Sequence, residues 1–459
     1  MSVEESFARL AASNARRRVA FGLTERRRVL RDLAAALSRH EAAILAALAQ
    51  DLGKAEAESR LTEILPVRAE IRHALRHLRR WMRPRRVAPM LALLGTSARI
   101  RPEPRGTVLI IAPWNYPLGL SIGPLVSALA AGNAAVVKPS ELAPATSAVV
   151  ARVLAELPAD LVAVAQGGAE TATALLDLPF DHIFFTGSPE VGRVVMAAAA
   201  ERLIPVTLEL GGKSPAIVGP GADIGRAARM IAWGKFVNAG QTCIAPDHVY
   251  VPRARMDDLL AALRARIRAM YGKRPDDLAR IVNTRHFARL TGLIASARAA
   301  GAGVEGGEAD EAARILTPTL LTGTTPEMPV SGQEIFGPIL PVIPYDSIED
   351  VLTWIEAGPK PLALYVFERD PAMIERLTHA TSSGAVGVNV TLAHFMHTGL
   401  PFGGVGRSGI GAAHGEWGFR AFSHEKPVLR DRFSALPLLM PPYGRGRSAL
   451  IRLAQRLFG

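Results

Sequence analysis

The stretch "HIFFTGSPEVGRVVMAAAAERLIPVTLELGG", residues 182–212, reads as strand, capped helix, strand. "HIFFTG" is a short β-rich run ending at Gly187. Ser188 is a natural N-cap, and Pro189 suits the first helical position because its missing N–H would have had no partner there. "PVTLELGG" then returns as a strand, closed by Gly211 and Gly212. A helix between two short strands is the crossover that a parallel pair requires.

The same alternation extends upstream. "TVLIIAP" (107–113) reads as a strand, and "IGPLVSALAAG" as a helix closed by Gly132. "AAVVKP" is a strand, "ATSAVVARVLAEL" a helix, "LVAVAQ" a strand, and a short helix is predicted near 170–177. Five β-rich runs separated by helices predict an α/β fold with a doubly wound, Rossmann-like parallel sheet. Such sheets bind ligands beyond the carboxyl ends of their strands. Before them, 24–52 reads as one helix with Thr24 as N-cap and Leu30, Leu33 and Leu37 at helical spacing; a second helix covers about 59–82. After about residue 211 a second α/β alternation begins, with strands "HVYVP", "PILPVIPY" and "LALYVFE" and helices near 254–271 and 285–300. "GAGVEGGEADEA" (301–312) reads as a surface loop.

The chain of 459 residues is long enough for two sizeable cores. One cysteine, Cys243, excludes an intrachain disulfide framework and any multi-cysteine metal site, and no metal site is expected. It fits a reducing compartment, so a cytoplasmic location is expected. No secretory signal or membrane-spanning run is apparent. The formal charge of +12 reads as an arginine-rich solvated surface, because no aromatic-interleaved basic motif points to nucleic acid. "SALIRLAQRLFG" at the C-terminus is different: Leu450, Ile451, Leu453, Leu457 and Phe458 among Arg452 and Arg456 make a basic amphipathic helix. It could touch an anionic bilayer weakly, the alternative being a helix packed on its own subunit or a partner.

Two glycine motifs fail on context. "GVGRSG" (404–409) follows no strand, and the "IGAAHGEWG" after it is too glycine-rich for a helix. "GGKS" (211–214) would place Thr207 at the first glycine of a P-loop. Other stretches suit a site at the strand ends. "HIFFTGSPEVG" offers a helix N-terminus to a pyrophosphate, with Gly192 permitting close helix–strand packing; an ordinary capped helix is the alternative. In "APWNYP", Asn115 sits in a fixed irregular turn and its amide could donate to an oxyanion; simple turn chemistry is the alternative. Lys138 and Glu141 of "VVKPSE" lie where a ribose would sit, or on a solvated loop. Glu209 is a carboxylate in an apolar strand, either paired or a base with a raised pKa. "NAGQTCIAPD" (238–247) presents Cys243 in a turn-like Gly/Gln/Thr setting, as a nucleophile or an inert core thiol.

Together "PWNYP", "KPSE", "FTGSPEVG", "LELGGKSP", "GQTC", "EIFGP" and "LPFGGVGRSG" occur in an order that closely resembles the aldehyde dehydrogenase superfamily over about residues 20–443. "AWGKFVNAGQTCIAPD", "KPLALYVF", "HGEWGFRAFSH" and "PPY" resemble its class 3 branch, which includes fatty, aromatic and bacterial coniferyl-aldehyde enzymes. The resemblance implies oxidation of an aliphatic or aromatic aldehyde to the acid with NAD, NADP also being accepted. Cys243 would be the nucleophile, Asn115 an oxyanion donor and Glu209 the hydrolytic base. Cofactor contacts would come from Pro113, Trp114, Lys138, Ser140, Glu141, Gly187, Ser188, Gly192, Glu209, Leu210, Gly211, Glu334 and Phe336. It further implies a cofactor domain (1–82 and 102–210), a catalytic domain (211–417), an oligomerisation arm (83–101 and 418–436) serving at least a homodimer, and a tail (437–459). Departures are Pro189 where threonine is common, Gln333 where a second acid is frequent, and "VNVTLAH", which lacks an Asp after its Asn. Rival readings are a CoA-acylating or reductive relative, against which Glu209 argues, and a non-catalytic binding protein, against which the intact Cys243, Glu209 and Asn115 argue.

Overall fold

In the computed structural model, which describes residues 2–90, 93–272, 277–434 and 436–458, the alternation from Thr107 forms a six-stranded sheet. Its spatial order is Gly409–Ile410, Val206–Leu210, His182–Gly187, Thr107–Ile111, Ala134–Lys138, Val162–Val164. The five strands expected from the sequence are parallel. Thr107–Ile111 and Ala134–Lys138 are buried throughout, as strands covered by helices on both faces must be. The covering helices include Gly119–Ala131, Pro144–Leu154 and Pro189–Glu201. Gly132 ends the first in a left-handed turn, and Ser188 caps the last by accepting from Val191 N–H.

The sixth strand was not anticipated. The rejected "GVGRSG" turn ends in Gly409–Ile410, which pairs antiparallel with Val206–Leu210 and covers an otherwise open sheet edge. The chain does form a helix beyond it, Gly415–Ala421, in spite of Gly415 and Gly418, because tertiary packing outweighs their poor propensity: Gly415 N–H donates to Glu70 at 3.1 Å, and Gly418 packs against Ser127 where a Cβ would not fit.

The second alternation builds a seven-stranded sheet in the order Gly303–Glu305, Thr319–Thr322, Ile339–Tyr345, His248–Pro252, Pro215–Val218, Ala363–Phe367, Ala385–Val388. Only its Gly303–Glu305 edge is antiparallel. The expected loop 301–312 thus contains strands Gly303–Glu305 and Ala309–Asp310; backbone pairing outweighs its poor β-propensity. A third sheet joins Arg85–Val87, Thr96–Pro104 and Ser423–Asp431, all antiparallel.

The N-terminal helices also differ from expectation. The predicted 24–52 helix is two helices, Leu23–Arg39 and Glu41–Leu52, broken at His40. Its N-cap is Gly22, and Thr24 lies inside the first turn. The second helical run holds a π-helical turn, Arg60–Ile64, between Glu56–Ser59 and Leu65–Trp81. Near the end, helix Arg445–Phe458 leaves Leu450 and Leu453 exposed; the side chains of Leu457 and Phe458 lie outside the described residues. No described helix is long and apolar enough to cross a membrane, and no described cluster of His, Cys, Asp and Glu could hold a metal.

Candidate active site

Four adjacent strands of the six-stranded sheet deliver the sequence-derived residues to one rim. Pro113, Trp114 and Asn115 follow Thr107–Ile111, and Lys138, Ser140 and Glu141 follow Ala134–Lys138. Ser188 follows His182–Gly187, and Glu209, Leu210 and Gly211 close Val206–Leu210. This is the carboxyl edge, where an open α/β sheet leaves room for a ligand. Lys138 is buried, and its Nζ lies 3.0 Å from Glu141 Oε2 on the exposed lip. The Ser140 hydroxyl accepts from Leu142 N–H at 3.2 Å, which fixes the turn between them. A Cβ on Gly192 would lie 2.7 Å from Leu210 Cδ2, so the helix that offers its N-terminus at Ser188 can pack this closely only with glycine there. The arrangement suits a dinucleotide: free N–H groups for a pyrophosphate, and a lysine and carboxylate for a ribose.

Cys243 comes from the other α/β layer. Helix Ile224–Phe236 ends at Val237, and the chain makes a tight turn, Val237–Gly240. Asn238 and Ala239 both have φ of 51°, a conformation that non-glycine residues adopt at a cost. Gln241 secures the turn. Its Nε2 donates to Asn238 O (3.1 Å) and Arg280 O (2.9 Å), and its Oε1 accepts from Val282 N–H (3.0 Å). Asn115 reaches across from the other layer, donating from Nδ2 to Gln241 O at 2.9 Å. Tyr116 Oη and Thr242 Oγ1 lie 2.6 Å apart, tying the residue before the thiol to the "PWNYP" turn.

The electrostatics are dominated by desolvation, with Glu209 buried and Cys243 and Glu334 half-buried. Burial pushes the Cys243 thiol up to about 12, and Glu334 and Glu209 add to the rise. The backbone N–H groups of Cys243 and Ile244 favour the thiolate without overcoming burial. Burial holds Glu209 well above the carboxylate range, and both its carboxyl oxygens are buried without a partner. Glu334 is pushed up to about 8, first by burial and then by Asp247, against the pull of Gly212 N–H, Lys213 and Arg289. Gly211 has no room for a Cβ because the Glu334 carboxylate occupies that space. Phe336, two residues on, packs edge-on to Trp114 at 5.4 Å. One thiol and two protonatable carboxyls therefore share one electrostatic neighbourhood beside an amide donor.

The profile of the aldehyde dehydrogenase family matches residues 5–428. The chain belongs to the aldehyde dehydrogenase family. It is an NAD(P)-dependent oxidoreductase that acts on aldehydes. A probable coniferyl aldehyde dehydrogenase of Pseudomonas aeruginosa is 44% identical, over 92% of this chain and 90% of the relative. The solved substrate-bound Staphylococcus aureus AldH superposes with a TM-score of 0.94 at 41% identity, covering 99% of each chain. The Mycobacterium tuberculosis aldehyde dehydrogenase complexed with NAD+ gives 0.85 at 29% identity, covering 94% of this chain and 91% of that one.

Several groups at the dehydrogenase site escaped the sequence reading. Lys54, Glu58 and Glu63 enter from the π-helical region, and Tyr116, Asn238 and Gln241 hold the two turns together. Asp247 ties "EIFGP" to the cysteine turn: its Oδ1 accepts from Ile335 N–H (2.9 Å), and its Oδ2 lies 2.5 Å from Lys213 Nζ. A usable signal existed only for Glu63, an acid inside the apolar stretch "LTEIL".

Proposed function

We propose that this enzyme oxidises aromatic and longer apolar aldehydes through a covalent Cys243 intermediate. The observation that supports the reading is that Cys243, which follows the Val237–Gly240 turn of the other layer, meets Asn115 and Glu209 from the carboxyl edge of the six-stranded sheet. The Cys243 sulfur, once deprotonated, adds to the carbonyl carbon. The oxyanion so formed accepts from Asn115 Nδ2, whose second hydrogen is not used by Gln241, and from Cys243 N–H. When bound, the nicotinamide supplies the hydride acceptor. Loss of hydride from the thiohemiacetal carbon leaves a thioester on Cys243. Glu209 takes a proton from water, the hydroxide displaces sulfur, and the acid departs. Glu209 suits this step because its free oxygens have no competing donor.

Lys138, Ser188 and the helix start at Pro189 would hold the cofactor's adenosine side, with Glu141 disfavouring a 2′-phosphate. Pro113, Trp114, Ser140, Gly187, Gly192, Leu210 and Gly211 would shape the cleft, and Glu334 and Phe336 would meet the nicotinamide half.

The half-buried Phe395 supports the substrate class: it packs edge-on against Phe402 (5.0 Å) and His414 (4.6 Å), next to His394, whose ring lies 6.0 Å from Tyr365. Tyr365 is itself fully buried and donates to Ile244 O at 2.5 Å, beside the thiol. The coniferyl name of the P. aeruginosa relative agrees. A panel of aliphatic and aromatic aldehydes, followed by reduced-nicotinamide absorbance, tests this. Equal efficiency for acetaldehyde and a cinnamaldehyde would refute the preference.

We further propose a cytoplasmic homodimer. The domain division is that implied by the family, with the three-stranded sheet as the arm. Light scattering that finds a monomer would refute the dimer. The tail supports weak contact with anionic bilayers: residues 437–459 hold four arginines and no acid, and Leu438, Met440, Leu450 and Leu453 are exposed. Equal pelleting with phosphatidylserine vesicles, with and without 444–459, would remove that idea.

A further inference from the structure

The segment 54–63 lies far from the catalytic turns in sequence but is built into both. Lys54 and Glu63 form a fully buried ion pair, Nζ to Oε1 at 2.8 Å. Such a pair is costly to desolvate and stabilises little by itself, so its other contacts carry the interest. Lys54 Nζ also donates to Asn115 O at 2.9 Å and sits 4.0 Å over the centre of the Tyr116 ring. Asn238 Nδ2 donates to the same carbonyl, also at 2.9 Å. The other Glu63 oxygen accepts from Gly119 N–H at 2.8 Å, fixing the far end of the "PWNYP" turn where helix Gly119–Ala131 begins. Glu58, one turn earlier, accepts from Asn238 N–H at 2.9 Å and steadies that residue in its left-handed conformation. At the other end, Gly53 ends helix Glu41–Leu52 in a left-handed turn, and Leu52 O accepts from Arg280 N–H at 2.7 Å. Arg280 O in turn accepts from Gln241, two residues before the nucleophile.

We propose that Lys54, held by Glu63, is a positioning residue for oxyanion stabilisation. Its ammonium fixes the Asn115 backbone from below, so that the Asn115 amide and the Cys243 N–H face one point in space. The cation over the Tyr116 ring holds the tyrosine whose hydroxyl meets Thr242, beside Cys243. Preorganised donors stabilise a developing charge only if they need not move when it forms, and a buried cation on the donor's own carbonyl restricts that movement.

This inference rests on Asn115 acting as oxyanion donor, and one double-mutant cycle separates the two. The paired variant Lys54→Met/Glu63→Gln removes both charges together and leaves no unpaired buried ion. It is measured in the wild-type and the Asn115→Ala backgrounds. The readouts are melting temperature, NAD affinity by fluorescence quenching, and single-turnover hydride transfer with protonated and deuterated aldehyde. In the wild-type background, hydride transfer is expected to fall roughly tenfold or more with NAD affinity within about twofold, the deuterium effect becoming fully expressed. In the Asn115→Ala background, which is already slow, the same pair should cost less than about twofold. An equal loss in both backgrounds, or no loss in either, overturns the role of Lys54. Wild-type hydride transfer in Asn115→Ala alone would instead sink the oxyanion reading. Should the paired variant fail to fold, Lys54→Met alone, which leaves a Glu63 carboxyl that burial already disposes to take up a proton, is measured in the same two backgrounds; a loss of about tenfold in the wild-type background only is expected, and an equal loss in both, or none, overturns the proposal.

Discussion

Glu209 and Glu334 are two carboxyls beside one thiol, raised by the same force and held in opposite ways. Glu209 stands on a sheet strand, opposite Thr186 and Gly409 in register, with both oxygens bare. Glu334 stands on a loop, held by Gly212 N–H with Lys213 and Arg289 nearby. Burial dominates both shifts. The difference teaches that a raised pKa does not by itself mark a base. A base needs an oxygen free to take a proton: both Glu209 oxygens are without a donor, whereas Glu334 already accepts from Gly212 N–H. An acceptor already engaged and tied to a loop is better suited to holding a ligand in place.

The largest expected effect comes from taking away the group both carboxyls surround. Cys243→Ala should abolish both the burst of reduced cofactor and steady turnover, with NAD affinity largely kept. Residual turnover at even a hundredth of the wild-type rate would mean that the thiol is not the nucleophile. Glu209→Gln comes next: steady-state turnover should fall about 10²–10⁴-fold, the range for a lost general base, while a full burst of one reduced cofactor per site remains. Glu334→Gln should be milder, slowing hydride transfer roughly tenfold, about 1.4 kcal/mol of barrier, with no burst and a measurable deuterium effect. A burst in the Glu334 variant and none in the Glu209 variant would exchange the two roles. The smallest effect concerns the exposed lip: Glu141→Gln should narrow the NAD over NADP preference by only about three- to fivefold, since an exposed charge is screened. A wild type that prefers NADP would show that Glu141 is misplaced.

The same pair has a stability signature. In the folded protein burial pushes the Glu334 carboxyl up to about 8, against an ordinary value of 4.5. A folded pKa above the unfolded one means that folding favours the protonated form. Its contribution is therefore fully present below the unfolded value and lost as pH rises through the folded value. Melting temperature should fall from about pH 5 to about pH 8.5, and more steeply in wild type than in Glu334→Gln. Parallel pH profiles would place the titration elsewhere.

The five parallel strands and the residues at their ends were legible because strand length, helix caps and glycine stops are local signals. Ser188, Pro189 and Gly132 each declare themselves within a few residues of chain. Glu209 was legible as a carboxylate in an apolar strand, although nothing local said that its oxygens would be bare. The Lys54–Glu63 pair was not legible, since its partners Asn115 and Gly119 lie more than fifty residues away and meet it only in the packed state. The π-helical turn at Arg60–Ile64 and the strand Gly303–Glu305 were hidden for the same reason: tertiary pairing overrode weak local preference. The pairing of Thr96–Pro104 with Ser423–Asp431 was not legible, since the two strands lie more than three hundred residues apart and carry no period that would link them.

The strand Gly409–Ile410 sets a schedule for the growing chain. Val206–Leu210, which carries Glu209, keeps one edge bare until the "GVGRSG" turn returns to it. At about 5–20 residues per second, the stretch between Leu210 and Gly409 takes roughly 10–40 s to emerge from a ribosome. During that wait the strand that carries Glu209, paired with His182–Gly187 on one side, keeps its other edge open to any other nascent chain of its kind. Slow codons or cold growth would lengthen this exposure.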